Sequence, residues 1–180
     1  MPIRIGQPLD HEFTEPLGLL SDCHRRLEYF LEVLIRLSES AGGALTPEQW
    51  KDLEKAVNYF ARAAPQHTAD EEESLFPRLR ATRDPRAAEA IECLSQLERD
   101  HEMAEAHHLA VDTFCRRWLD HGFLSDADRR NLEDRLAELQ AIYREHIAIE
   151  DNQLFPVASA VLSEEQLLEI GREMEDRRDL

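Results

Sequence analysis

The sequence predicts an all-α protein, with four long helices in an up-down-up-down bundle and a short helix near the C-terminal end. Glycine is scarce, with 6 residues in 180, whereas the helix-favouring residues Ala, Leu, Glu and Arg are abundant. Apolar residues recur in steps of three and four along four long segments, which is the pattern of helices that bury one face. Short connections between such segments favour an antiparallel bundle, and an irregular all-α fold is the alternative.

The first helix is predicted from about Glu15 to Glu39, after an irregular segment at residues 1–14. Residues 40–43, which include two glycines, are expected to end it. Its buried stripe consists of positions three or four apart: Leu17, Leu20, His24, Leu27, Leu31 and Leu34.

The second helix begins after Thr46, which together with Pro47 and Gln49 has the pattern of a capping box. Pro65 is expected to kink or interrupt this helix, because proline lacks the N–H that a helix interior uses. Pro77 and the segment at residues 82–85 mark the next break. The last two residues in the stripe of the second helix are polar. The whole stripe consists of Trp50, Leu53, Val57, Phe60, Ala64, His67 and Glu71.

The third helix is predicted from about Arg86 to Asp120, and Gly122 is expected to close it. Its stripe contains two histidines: Leu94, Leu97, His101, Ala104, His108, Val111, Cys115 and Trp118. Ser125 and Asp128 cap the fourth helix. The stripe of that helix again has polar residues at its end. It consists of Leu132, Leu136, Leu139, Tyr143, His146, Glu150 and Gln153. Ser163 begins a capping box for a short amphipathic helix at about residues 163–177.

Composition narrows the classes of protein to which the chain can belong. The net charge of −17 argues against nucleic acid and anionic membranes as partners. No apolar run is long enough for a transmembrane helix, and the N-terminal residues do not resemble a signal peptide. Three cysteines without CxxC spacing do not indicate a disulfide framework, so we expect a cytoplasmic location. The length favours one domain over residues 1–180, with the bundle at about 12–160.

Two segments of the chain are nearly alike. HTADEEESLFP begins at His67 and HIAIEDNQLFP begins at His146, so each has a histidine, a carboxylate four residues later and then Leu-Phe-Pro. Residues four apart share a helix face, which pairs each imidazole with a carboxylate. The residues after Glu71 point about 100° further round the helix, so Glu72 and Glu73 are expected to face solvent.

The similarity extends to the helix before each of these segments. His24 and His101 differ by 77 positions, and His67 and His146 differ by 79. The first and second helices therefore correspond to the third and fourth, as two helical hairpins. With alternating helix directions, all four histidines lie at a similar height in the bundle.

Each stripe thus contains a histidine where leucine would serve an apolar core better, and two stripes contain a glutamate. Buried polar and charged groups without partners are costly, by several kcal/mol each in apolar surroundings. Two metal ions with shared carboxylates would satisfy all six groups, and six ligands are too many for one tetrahedral zinc. Imidazole and carboxylate donors suit iron, and do not exclude manganese, zinc, nickel or copper. The six candidate ligands are His24, His67, Glu71, His101, His146 and Glu150.

These residues resemble the hemerythrin family, and specifically its HHE cation-binding domain, over about residues 12–160. The family pattern is a His on the first helix, His-x-x-x-Glu before Phe-Pro on the second, a His on the third and His-x-x-x-Glu or Asp on the fourth. The four-helix bundle of such proteins is well known. The resemblance implies a cofactor of two iron ions with an oxo or hydroxo bridge, for which zinc or manganese could substitute.

The chain departs from the oxygen carriers of the family at one place. Where those proteins have a second histidine one turn after the helix-three ligand, this chain has Glu105, a possible further metal ligand. A carboxylate-rich site resembles the members that act in iron–sulfur repair and nitric oxide chemistry. The resemblance therefore implies a di-iron protein that binds or senses O₂ or NO, or handles iron for repair. A di-iron enzyme, such as a peroxidase or NO reductase that acts on peroxide or NO, is the alternative.

Overall fold

The computed structural model describes residues 10–40 and 44–178. Its α-helices are α1 (Pro16–Glu39), α2 (Pro47–Ala69), α3 (Phe76–Ala81), α4 (Ala88–His121), α5 (Asp126–Ile149), α6 (Phe155–Val161) and α7 (Glu164–Asp176). No strand occurs within these ranges, so the all-α prediction is confirmed. The predictions for residues 1–9 and 41–43 lie outside the described residues.

The four long helices contact one another in a ring. Helix α1 packs against α2 and α5, and α4 packs against the same two helices. The up-down-up-down order of their directions stays a prediction. Among the helices of the described ranges, none combines the length and the apolar character needed to cross a bilayer.

Several helix ends lie where the sequence predicts them. Thr46 and Ser163 each form a capping box, and the side chain of Ser125 accepts a hydrogen bond from the backbone N–H of Asp128. Gly122 closes α4 with φ 75°, a left-handed conformation that glycine adopts without strain. The C-terminal segment forms α7, as predicted.

Two features of α2 differ from the prediction. Pro65 lies inside α2 and does not interrupt it, since the helix continues to Ala69. Trp50 is not a core residue, because 39% of its surface is exposed. It lies in the first turn of α2, where its indole N–H donates to the carbonyl of Leu119 at 3.5 Å, so the ring lies at the edge of the bundle.

The most informative difference concerns the two Leu-Phe-Pro segments. The helix breaks at residues 82–84, within the predicted segment, but it does not break at Pro77. Residues Asp70–Leu75 and Glu150–Leu154 form π-helices, which continue directly into α3 and α6. In each, the backbone N–H of the phenylalanine bonds to the carbonyl of the glutamate five residues earlier. Proline cannot donate such a bond and crowds the carbonyl four residues before it, and a widened turn accommodates both effects.

The widened turns change which side chains face the core. The predicted stripe places Gln153 inside the bundle, but Gln153 is exposed. Leu154 and Phe155 are buried in its place, at 0% and 5% exposure. The hydrophobic core consists of two clusters, one around Leu31 and one around Leu97. Along their helices, His24, His67 and His101 lie between residues of these two clusters, and His146 lies where the first cluster ends.

Helix α7 is fixed to the first π-helix by buried ion pairs. The Asp70 carboxylate is fully buried and accepts hydrogen bonds from Arg177 at 3.0 Å and from Arg178 at 2.6 Å. Arg78 pairs with Glu173 of α7 at 2.7 Å. The π-helix is therefore held on its outer side by α7 and on its inner side by the bundle.

Candidate metal centre

Six of the seven predicted ligands meet in the interior of the bundle. Their side chains are between 0% and 8% exposed. Helices α1 and α4 contribute one histidine each, and α2 and α5 contribute a histidine each in their last turn. The two glutamates follow in the π-helices. The six residues are His24, His67, Glu71, His101, His146 and Glu150.

The six side chains form two groups that overlap. One group comprises His24, His67 and both glutamates, and the other comprises His101, His146 and the same glutamates. Within each group, one potential ligand atom per residue lies within 4.8 Å of all the others. Glu71 and Glu150 belong to both groups, so the geometry offers two cation positions with two carboxylates in common.

The imidazole Nε2 atoms surround the two carboxylates. The distance from Nε2 of His24 to Oε2 of Glu150 is 3.1 Å, and that from His146 to the same oxygen is also 3.1 Å. His67 and His101 approach the two oxygens of Glu71 at 3.4 and 3.3 Å.

Although the imidazoles and carboxylates of the cluster lie close together, several of their polar atoms form no hydrogen bond. Both carboxylate oxygens of Glu71 and of Glu150 are buried without a hydrogen-bond partner among the described residues, and so is Nε2 of His24. The potential ligand atoms of each group nevertheless lie within 4.8 Å of one another. Buried carboxylates without hydrogen-bond partners are costly, and cations held between these atoms would satisfy them.

Further carboxylates hold the outer nitrogens of two histidines, His24 and His101. Asp151 lies 3.1 Å from Nδ1 of His24, and Glu72 lies 2.7 Å from Nδ1 of His101. Such outer partners fix the tautomer of a ligating imidazole, leaving Nε2 free for a metal. The expectation that Glu72 faces solvent is therefore wrong in part: its side chain is 36% exposed, but its carboxylate contacts the cluster.

The other two histidines, His67 and His146, have no such partner: Nδ1 of each is buried without a hydrogen-bond partner in the described part of the chain. The carboxylate of Asp100 lies near Nδ1 of His146, at 3.6 Å, which is too long for a hydrogen bond. In the internal repeat, Cys23 before His24 corresponds to Asp100 before His101. The two cation positions are thus not equivalent.

The protonation of the metal-free cluster follows from burial and charge. Burial lowers the pKa of His24, but neighbouring carboxylates, including Glu71 and Glu150, raise it well above its ordinary value. At His101, burial again lowers the pKa and neighbouring carboxylates raise it, and the net result is a pKa of about 9. Burial dominates at His67 and lowers its pKa to about 4. At neutral pH, His67 is a ready ligand, whereas His24 and His101 hold protons that a metal must displace.

Glu105 is the predicted ligand that the structure does not bring to the cluster. Its side chain is exposed and belongs to neither group of potential ligands. In that turn of α4, the buried residue is Ala104, at 4% exposure. The next residue points about 100° further round the helix, which takes Glu105 away from the core.

Glu105 instead lines a cavity that leads to the cluster from the surface. This cavity has a volume of about 330 Å³ and lies between α2, α4 and α5. Exposed Glu73, Glu102 and Glu105 lie at its outer part, and His101 and Tyr143 lie in its wall. The cavity therefore adjoins one of the two groups of potential ligands, through His101.

Comparison with known proteins finds a family and a relative to which the chain is similar. A model of the family described as Hemerythrin HHE cation binding domain matches residues 15–158, which include all six clustered side chains. The chain is also 30% identical over 173 residues to an uncharacterized protein of Haemophilus influenzae. That match covers 93% of this chain and 92% of the relative.

Proposed function

Because the chain belongs to the hemerythrin HHE cation-binding family, we propose that it is a non-haem di-iron protein that binds or senses O₂ or NO, or handles iron for repair. The resemblance inferred from the two His-x-x-x-Glu motifs is thereby confirmed. The proposal includes the up-down-up-down bundle of one domain and a cytoplasmic location. It identifies no protein partner.

The observation that carries the proposal is the pair of buried carboxylates shared by two groups of histidines. In the metal-free cluster, all four oxygens of Glu71 and Glu150 lack hydrogen-bond partners among the described residues. We propose that His24 and His67 hold one iron, that His101 and His146 hold the other, and that the glutamates bridge them. Zinc or manganese could occupy the same donors, but mixed imidazole and carboxylate ligation suits iron well.

Bound iron would supply a redox-active centre with a coordination position for a small ligand. The protein would supply the rest: Asp151 and Glu72 orient imidazoles, and the surrounding apolar clusters exclude bulk water. Iron-loaded protein should bind about two irons per chain and change its absorption spectrum on exposure to O₂ or NO. Protein purified with iron that contains no bound metal would contradict the proposal.

A di-iron enzyme is the second candidate, and the open cavity favours it. A cavity of about 330 Å³ admits molecules larger than a diatomic gas, and peroxide would enter it readily. Steady-state consumption of peroxide or NO in the presence of a reductant would identify an enzyme. Ligand binding without turnover under any reductant would identify a binding protein.

Replacing Glu105 by glutamine should leave the iron content unchanged. We expect this because the Glu105 side chain is exposed and outside both ligand groups. Elemental analysis of the purified variant checks the prediction, with the exposed Glu102 replaced by glutamine as the matched control. Loss of one iron in the Glu105→Gln variant alone would establish Glu105 as a ligand.

Replacing Asp151 by asparagine should weaken metal binding without abolishing it. Asp151 orients His24 through Nδ1, and removal of such a partner typically reduces affinity by about 10–100-fold. Competition with a chromophoric chelator measures this change for iron or for cobalt. Asp134→Asn on the exposed surface of α5 is the control. An unchanged affinity in Asp151→Asn would show that the contact with His24 has no role in binding.

A further inference from the structure

The inner wall of the cavity contains a hydrogen-bonded pair that the proposed metal ligands do not use. Nε2 of His108 lies 2.5 Å from the hydroxyl oxygen of Tyr143, and both residues line the cavity together with His101. The His108 ring packs on Phe60, with ring centroids 4.8 Å apart. This packing and the hydrogen bond give the pair a fixed orientation towards the cavity.

His108 is uncharged at neutral pH. Burial lowers its pKa to about 4, and the neighbouring His107 adds to this effect. A neutral imidazole carries one N–H, either at Nδ1 or at Nε2. The position of this proton decides the direction of the hydrogen bond with Tyr143.

The surroundings of Nδ1 favour one of these two tautomers. Nδ1 of His108 is buried and has no hydrogen-bond partner within the described ranges. Buried N–H groups without an acceptor are rarer in proteins than acceptors that lack a donor. The proton is therefore expected at Nε2, from which it is donated to the oxygen of Tyr143.

In this arrangement the phenolic proton of Tyr143 is not used by His108. Burial also raises the pKa of Tyr143 above its ordinary value, so the hydroxyl keeps its proton at neutral pH. The O–H can then donate to a molecule in the cavity, beside His101. The exposed carboxylates of Glu73, Glu102 and Glu105 at the outer part repel anions, which favours an uncharged ligand.

We propose that Tyr143, oriented by His108, donates a hydrogen bond to a small uncharged molecule bound in this cavity beside the His101 metal position. The proposal rests on the proposed function, because the metal holds the molecule at that position. Tyr143 is the ligand-binding residue, and His108 is the positioning residue that directs its hydroxyl.

Replacement of Tyr143 by phenylalanine tests this inference with nitric oxide as the probe. In protein loaded with ferrous iron, NO should dissociate about tenfold faster from the Tyr143→Phe variant, because one hydrogen bond is lost. Tyr59→Phe is the matched control, since Tyr59 donates to the carbonyl of Cys23 at 3.3 Å and does not line the cavity. Normal iron content with unchanged NO release in Tyr143→Phe would overturn the inference.

A second measurement uses the metal-free wild-type protein. Nitrogen-15 NMR of the imidazoles should show the proton of His108 on Nε2, and a proton on Nδ1 would overturn the inference. In His108→Leu, NO release should accelerate in the same direction as in Tyr143→Phe. Failure of the wild-type chain to take up iron would contradict the proposed function instead, and the tautomer would still test the orientation of Tyr143.

Discussion

Replacing Glu71 by glutamine should abolish binding of both metal ions. Glu71 belongs to both ligand groups, whereas each histidine belongs to one, so this change weakens two positions at once. An amide bridges cations poorly because it carries no charge. We expect affinity to fall by more than the ~10–100-fold that is typical of removing an outer partner. Metal analysis and isothermal titration with ferrous iron or cobalt measure the effect.

The neighbouring Glu73 provides the matched control for this substitution. Its side chain is 68% exposed and pairs with Arg177, so Glu73→Gln should retain both metals. His67→Ala provides an intermediate case, because it removes a ligand from one group only. Retention of two metals by Glu71→Gln would contradict the proposal that this carboxylate is a bridge.

Removing the metal should make the protein less stable, and the loss should grow as the pH rises from about 6.5 to 9. In the metal-free protein, His101 has a pKa of about 9 and His24 a raised pKa, against a value of 6.5 for an unperturbed histidine. The stability that comes from protonating these rings is fully present below pH 6.5. It is lost as the pH rises through 9, by about 3 kcal/mol for His101 alone.

The free energy of unfolding of metal-loaded protein should change little over the same pH range, because the gain in metal affinity offsets the loss of the stability that the protonated rings supply. Metal binds neutral imidazole, so affinity increases by up to about tenfold per pH unit for each ring that must lose a proton. A ligand that binds only the folded state, and that is present at 1,000 times its dissociation constant, adds about 4 kcal/mol to the free energy of unfolding. Thermal unfolding with chelator and with iron, at several pH values, measures both trends.

His121→Asn is the control for this pH dependence. His121 is exposed and lies outside the cluster, so its replacement should leave both curves unchanged. His101→Gln should flatten the curve of the metal-free protein. A metal-free protein whose stability is constant or increases between pH 6.5 and 9 would contradict the proposed proton balance.

The helices and the six clustered side chains could be predicted because they follow a regular period. His24 and His101 stand in stripes that are otherwise mainly apolar, so a polar residue there is conspicuous. The repeat then pairs Glu71 with Glu150 without any knowledge of tertiary structure. Periodicity is a property of single helices, and the sequence displays it directly.

Features that depend on contacts between helices could not be predicted in this way. Asp151 and Glu72 reach histidines of the opposite hairpin, and both lie within π-helices that period counting does not include. Their matching positions, each one residue after a glutamate that both ligand groups share, were the available signal in the sequence. The widened turns also explain why Gln153 is exposed where an ideal stripe would bury it.

The family pattern suggests Glu105 as a metal ligand, but its side chain belongs to neither group of potential ligands. One turn after His101 is a position from which a side chain can reach a metal, but the structure places Ala104 against the core instead. The exposed carboxylate lies beside the cavity, where its charge affects which molecules enter. Sequence position alone does not show whether a side chain joins the cluster or lines the cavity beside it.

Mössbauer spectroscopy of protein loaded with iron-57 tests the proposed centre most directly. We expect two irons per chain which, after oxidation, form a coupled ferric pair with a diamagnetic ground state. This result requires two iron sites joined by bridging ligands, as the shared carboxylates Glu71 and Glu150 predict. One iron per chain, or two magnetically isolated ferric ions, would contradict it.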